Sequence, residues 1–483
     1  VGLGNIWRFP VLAGTNGGGS FLLLYVIFLF SWGIPLLIAE FSMGRKTNRG
    51  TIGAFHDFVG KRFAWMGLWM VVVSTIVGFY YGVVMGWTLK YFTIMLSGGV
   101  GSSSGLDIWN TFIGTGWQVI IFQVISILIT AFIVYKGVES GVEKACSIMM
   151  PTLIILLVFL LIWAVTRDGA IKGLEFLFIP KGEYLGMGTT WTAALGQIAF
   201  STSAGFGMGI TYAAYLKKGQ DTTLNSVITA LGNSTLGIMG GIIVLCSVFA
   251  LSASPAEAYS ALSGESVPSI GFPFIFLTQL FGTIPGGWLV GAIFFIALSF
   301  AALTSMISTM EIGAANFIDV GWDRKKAVRF LAFVTILGGI PSALITVQST
   351  APDGGTFLLP ALLENQMVVW DLGLITSGAF VAFAVYRYGI NRFYKELVNT
   401  PDNDLVIGRW WPFTIKYLFP LQFTLLLAWT FYEVLHESVL TFATMLVQLM
   451  AVLMIAVWLN SWVGKKVERA PVEPLQSEED PLN

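Results

Sequence analysis

The chain has 483 residues, 55% of them hydrophobic and only 11% charged, with a formal net charge of −1. A soluble domain carries about 25% charged residues, and a mean hydropathy of +0.78 leaves too much apolar surface to keep from water, so a soluble globular protein is excluded. Apolar runs near the length that crosses a bilayer, about 20 residues, recur without period-two alternation; with every backbone amide satisfied inside its own segment, that means an all-α integral membrane protein and not a β-barrel.

In chain order the expected spans are 1–15, 19–44, 64–97, 117–135, 145–166, 190–216, 224–252, 283–317, 325–347, 367–390, 410–434 and 438–463, about twelve transmembrane helices, followed by a polar tail 464–483. The opening Val1-Gly2-Leu3-Gly4-Asn5 reads as the middle of a helix, so the true N-terminus, with half of the first helix, is expected to precede it. Basic residues fall in alternate connections: Arg45, Lys46 and Arg49; Lys61 and Arg62; Lys136 and Lys144; Lys217 and Lys218; Arg324, Lys325, Lys326 and Arg329; Arg387, Arg392 and Lys395; Lys465, Lys466 and Arg469. By the positive-inside rule these loops, and both termini, are cytoplasmic. The outside connection 253–282 is long enough for short helices lying over the bundle as a lid. Cys146 and Cys246 form neither a disulfide framework nor a zinc motif. His56 in an inside loop and His436 in an outside turn read as solvated residues, so an enzyme is not expected, and nothing points to nucleic acid.

Two stretches interrupt apolar sequence with Gly and hydroxyl residues: Gly2 to Asn5 and Ser201 to Gly207. Both are expected to unwind at mid-membrane. They head the first and sixth spans, so a five-helix unit 1–166 is expected to repeat inverted over 190–390, leaving extra helices at 410–463. Paired broken helices in inverted repeats point to a transporter's central site. Unwinding frees amides and carbonyls that are costly in hydrocarbon unless something binds them, and a zwitterion with a cation suits both. Amides after Leu3 and Gly4 can hold a carboxylate, and carbonyls near Val1, Phe200 and Ser201 an ammonium or Na+.

The segments VGLGNIWRFP at 1–10 and NGGGSF at 16–21, with Tyr80 and Tyr81, Gln197, Ser203 to Gly207, and Leu303-Thr304-Ser305, resemble the neurotransmitter:sodium symporter family along almost the whole chain. The resemblance implies a carboxylate-binding Tyr81 working with the amides of Leu3 and Gly4, a side-chain pocket of Val77, Phe200, Ser203, Phe206, Ser305 and Thr309, and the ammonium near the carbonyls of Phe200 and Ser201. Gly2 stands where monoamine-carrying relatives have an aspartate, so the substrate should keep its own carboxylate. One Na+ is implied at Asn5, Ser201 and Asn233 with the substrate carboxylate, a second at Val1, Ala301, Thr304 and Ser305. Tyr25, Gln197, Ser201 and Asn233 match chloride-binding members, but Gly237 lacks the hydroxyl or acid that position carries elsewhere. Arg8 matches the outer-gate arginine, with Glu364 as its expected acid and Asp371 as the fallback, above an aromatic seal of Tyr81 and Phe206. Tyr215 and Asp319 match the cytoplasmic gate, and Glu40 the buried carboxylate that steadies the broken sixth helix.

The expected function is sodium-coupled symport of a neutral, apolar amino acid by alternating access, in a prokaryotic plasma membrane; an amino-acid sensor or a channel on the same fold is the rival reading.

Overall fold

The computed structural model describes residues 2–98, 100, 104–216, 220–263, 271–348, 362–401 and 403–469. Among the described residues ten helices are long and apolar enough to cross a membrane: α2 (Gly19–Thr47), α3 (Lys61–Leu96), α4 (Gly116–Tyr135), α5 (Val138–Val165), α7 (Thr222–Leu251), α8 (Gly287–Asp319), α9 (Arg324–Leu344), α10 (Leu362–Tyr388), α11 (Trp410–His436) and α12 (Val439–Glu468). A shorter α1 (residues 4–15) and a two-piece α6, with α6a at Gly188–Thr202 and α6b at Met208–Ala213, bring the spans among the described residues to twelve. No strand occurs among the described residues.

Two helices outrun the apolar signal. Helix α10 begins five residues before its expected start at 367, because Asn365 and Gln366, too polar to score as membrane, are satisfied across to α12 by Thr444 and Gln448 at 2.7 to 3.1 Å. The C-terminal end of α12 passes 463 because its last turn docks on the loop between α2 and α3, where Arg49 donates to the Val467 carbonyl at 2.9 Å, and on the start of α3, where Lys61 pairs with Glu468 at 2.7 Å. That docking also corrects the reading of His56, which is half-buried with Nδ1 2.8 Å from Asp57 rather than solvated.

Helix α3 runs through the middle of the molecule against α8, α4 and α9, and its Trp87, Tyr80 and Tyr91 are among the largest fully buried side chains. Helices α1, α2, α6 and α7 pack against one another. Helices α11 and α12 form the rim, where Trp458 is 80% and Leu425 61% exposed. In water such surface would aggregate; in lipid it is the ordinary outer face of a bundle. The 253–282 connection holds two short helical pieces, Pro255–Ser263 and a second spanning Pro273–Gly282, and Leu262 of the first packs on Gly14 at the C-terminal end of α1.

Candidate functional site

The centre of the site is the gap between α6a and α6b. Helix α6a ends at Thr202; Ser203, Gly205 and Gly207 then take φ of +60°, +96° and +81°, and helix resumes at Met208. Such values are open to Gly at no steric cost, which is why a Gly-rich run breaks here. The freed groups have partners. The buried carboxylate of Glu40 on α2 accepts the Gly205 amide at 2.6 Å and the Gly209 amide at 3.0 Å. The Phe206 carbonyl accepts a hydrogen bond from the Ser74 hydroxyl of α3 at 2.9 Å.

Beside this gap lies the inner end of α1. The opening stretch is less unwound than expected: only Gly2 lies outside helix, and Gly4–Arg8 forms a wide π turn. A π turn is how a helix carries a local mismatch without breaking. The Leu3 amide donates to the Tyr81 hydroxyl at 2.8 Å, and the Gln197 side-chain amide donates to the Gly4 carbonyl at 2.7 Å. Val1 lies outside the described residues.

A cavity of about 450 Å³ occupies the space between α1, α3, α6 and α8. Gly4, Val77, Tyr81, Phe200, Ser201, Ser203, Phe206, Ser305 and Thr309 all line it, as does Gly2, while Leu3 is fully buried behind the Tyr81 hydroxyl. The cavity continues along α5 and α6b past Cys146, Met150, Tyr212 and Tyr215, residues the motif reading did not place at the pocket, apart from Tyr215 as an inner gate. Tyr212 donates to Ser308 at 2.8 Å in that extension.

Two clusters of oxygen atoms stand where the family resemblance places cations. Asn5 and Asn233 face each other, with Asn5 Nδ2 donating to Asn233 Oδ1 at 2.6 Å and to its carbonyl at 3.2 Å. The buried Asn5 Oδ1 has no protein hydrogen-bond partner, so an acceptor is left for a cation, and the backbone of Gly237 leaves it open. The second cluster differs: Thr304 Oγ1 bonds back to the Ala301 carbonyl at 3.0 Å, while Thr309 of the cavity wall donates to the Ser305 carbonyl at 3.0 Å. Of the residues matching chloride-binding members, Tyr25 donates to Ser234 at 3.1 Å and lies 3.4 Å from Ser201, and Gln197 is turned to Gly4.

The pairing expected for Arg8 is corrected. Arg8 meets Asp371 through both guanidinium nitrogens, and not Glu364. Glu364 is about two turns away on α10, and it lines with Arg8, Asp371, Trp7, Leu12 and Met367 a small cavity of about 330 Å³. Counting along the sequence from the end of a span whose start is misplaced selects the wrong acid on the correct face. The aromatic seal also shifts: the Arg8 guanidinium sits 4.9 Å above Phe200, whose ring is 6.3 Å from Tyr81 and 6.2 Å from Phe206. Phe200 belongs to α6a, outside the gap, and so lies between Arg8 and Phe206.

On the inner side Tyr215 and Asp319 are not brought together. Tyr215 donates to Glu311 at 2.6 Å, and Glu311 pairs through both oxygens with Arg324 at 2.7 and 2.8 Å. Asp319 lies instead against Gly50 and Gly53 in the loop between α2 and α3. The sequence held the signal for Glu311, an acid inside an apolar span, which is a functional or network residue by default.

The model of the sodium:neurotransmitter symporter family matches residues 1–114 and 105–463. An uncharacterized sodium-dependent transporter of Methanocaldococcus jannaschii is 30% identical over 442 residues, 88% of this chain and 85% of that protein. The sodium-dependent neutral amino acid transporter B(0)AT1 of Rattus norvegicus is 26% identical over 514 residues, 87% of this chain and 77% of its own. Among solved structures, the crystal structure of MhsT in complex with L-phenylalanine superposes with a TM-score of 0.78 at 31% identity, covering 89% of this chain and 95% of MhsT.

Proposed function

The chain belongs to the sodium:neurotransmitter symporter family and is a multi-pass, sodium-dependent membrane transporter rather than an enzyme, and from that premise we propose that it carries a neutral amino acid with a large apolar or aromatic side chain. One observation carries the reading: the Tyr81 hydroxyl and the Leu3 amide meet at one end of a cavity whose walls include Val77, Phe200 and Phe206, with the hydroxyls of Ser203, Ser305 and Thr309 beside them. Two neutral donors suit a carboxylate, and three apolar walls suit an uncharged side chain. The phenylalanine in MhsT and the neutral amino acid cargo of B(0)AT1 support the same substrate class.

In this proposal the substrate carboxylate displaces the Leu3–Tyr81 bond and takes both donors. Na+ travels as co-substrate, held at Asn5, Ser201 and Asn233 together with that carboxylate, so ion and solute are bound as a unit. A second Na+ is held by the Ala301 carbonyl with Thr304 and Ser305, where Thr304 turns its hydroxyl away from Ala301. Substrate draws Phe200 and Tyr81 together under the closed Arg8–Asp371 pair. The inside then opens as α1, α2, α6 and α7 move against the remaining helices. Residues 1–166 and 190–390 act as the two repeats, with α11 and α12 outside them. The membrane is a prokaryotic plasma membrane with the basic loops on its cytoplasmic side. The sodium gradient and membrane potential drive uptake, at ~2.3 kcal/mol per charge per 100 mV.

Uptake of tritiated phenylalanine, leucine, alanine and lysine into proteoliposomes tests this, with outside Na+ replaced by choline in parallel. Accumulation of phenylalanine or leucine that needs Na+, and that falls at least about tenfold in Tyr81→Phe, is the expected result, since a hydrogen bond to a charged group is lost. Sodium-dependent binding without uptake would instead favour a sensor.

A further inference from the structure

The side chains assigned to the pocket contact substrate in the proposal above, but one residue outside that set has a place no motif reading gave it. Ser74 is fully buried on α3, and its hydroxyl donates to the carbonyl of Phe206, inside the non-helical gap of α6. That carbonyl is one the break has freed, and in hydrocarbon an unmade backbone hydrogen bond is costly. Ser74, Val77 and Tyr81 follow one another at spacings of three and four residues, so a single face of α3 presents them in line. Tyr81 stands at the amide end of the cavity, Val77 on its wall and Ser74 behind its floor. Helix α3 is itself anchored, because Trp69 donates to the Gly373 carbonyl at 3.2 Å and to Ser377 at 3.1 Å on α10.

The gap is thus held from two sides by different means. Glu40 of α2 binds its amides, while Ser74 of α3 binds a carbonyl. The carbonyl it binds belongs to the residue whose ring lines the pocket, and Phe206 is 3% exposed, so its ring has little room to adjust independently of its backbone.

We propose that Ser74 is a positioning residue for substrate size: by fixing the Phe206 carbonyl it sets where the Phe206 ring ends the side-chain pocket. The proposal rests on the amino-acid reading above. Losing the bond softens the pocket floor, which matters for a side chain that reaches it and little for one that does not.

The test is sodium-dependent equilibrium binding to the purified full chain, with phenylalanine and alanine compared in wild type, Ser74→Ala, Ser74→Cys and Ser74→Thr. Ser74→Ala should lose phenylalanine affinity by about tenfold while alanine affinity changes by less than about twofold, the scale on which pocket contacts discriminate side chains. Ser74→Thr keeps the hydroxyl and should restore the wild-type ratio. Should Ser74→Ala fail to fold, Ser74→Cys fills the space with a weak donor and should shift the ratio in the same direction. An unchanged ratio in the folded Ala or Cys variant, or an equal shift in Thr and Ala, overturns the proposal and leaves the amino-acid reading standing. Absence of sodium-dependent binding of either amino acid to wild type would overturn that reading, and this proposal with it.

Discussion

Arg8 chooses between two acids on one helix, and the structure gives the choice to Asp371. Both side chains of the pair are mostly buried, at 13% and 16% exposure, in a place where solvent screening is weak. Removing one partner from such a pair costs roughly 3–5 kcal/mol, because the other charge is left behind uncompensated. Asp371→Asn should therefore reduce sodium-driven uptake by at least about tenfold, while Glu364→Gln, at the wetter outer end, should stay within about twofold. Parallel uptake assays of the two variants check this, and equal losses would mean that Glu364 shares the gate. Spacing alone could not separate these acids, since both lie on the α10 face that Arg8 approaches.

At the scale of an element, the broken sixth helix was the most legible feature and the first helix the least. Gly205 and Gly207 adopt left-handed φ values that few other residues tolerate, so composition announced the break. At Gly205 a methyl would also stand 2.6 Å from the Leu374 carbonyl of α10. Gly205→Ala should lower stability by about 1–3 kcal/mol, the usual cost of a strained backbone position, and should abolish sodium-dependent binding. A methyl on Gly232 of α7 would meet nothing within 4 Å, so Gly232→Ala should leave stability unchanged or raise it by up to about 1 kcal/mol. Thermal unfolding of both variants in detergent decides, and a neutral Gly205→Ala would show that the gap can relax. In the first helix the Gly residues signalled unwinding as strongly, yet Tyr81 and Gln197 satisfy the Leu3 amide and Gly4 carbonyl, and the chain stays in a π turn.

For the whole molecule, the inner side is held by a cluster that joins three helices: Tyr215 just after α6b, Glu311 on α8 and Arg324 at the start of α9. Glu311 is fully buried, and its two oxygens take three hydrogen bonds. Glu311→Gln should destabilise the protein by about 3–5 kcal/mol, and adding Arg324→Gln should recover part of that loss, because the orphaned cation goes with it. A double-mutant cycle on unfolding temperature reads the coupling; strict additivity would mean that the two charges act independently.

Composition alone decided that this chain is a helical membrane protein, since apolar content and run length admit no other solvent and no other backbone state. The family resemblance grouped Val77, Tyr81, Phe200, Ser203, Phe206, Ser305 and Thr309, all of which line one cavity, because each motif is local in sequence and each residue keeps its register on its own helix. What only the tertiary structure decided were pairings between helices far apart in the chain: Arg8 with Asp371, Tyr215 with Glu311, Phe200 beneath Arg8, and Ser74 with Phe206. The reason is physical. Helical register specifies which face a side chain is on, whereas the partner it meets depends on how two helices are rotated and shifted against each other, and that is set by packing over their whole length.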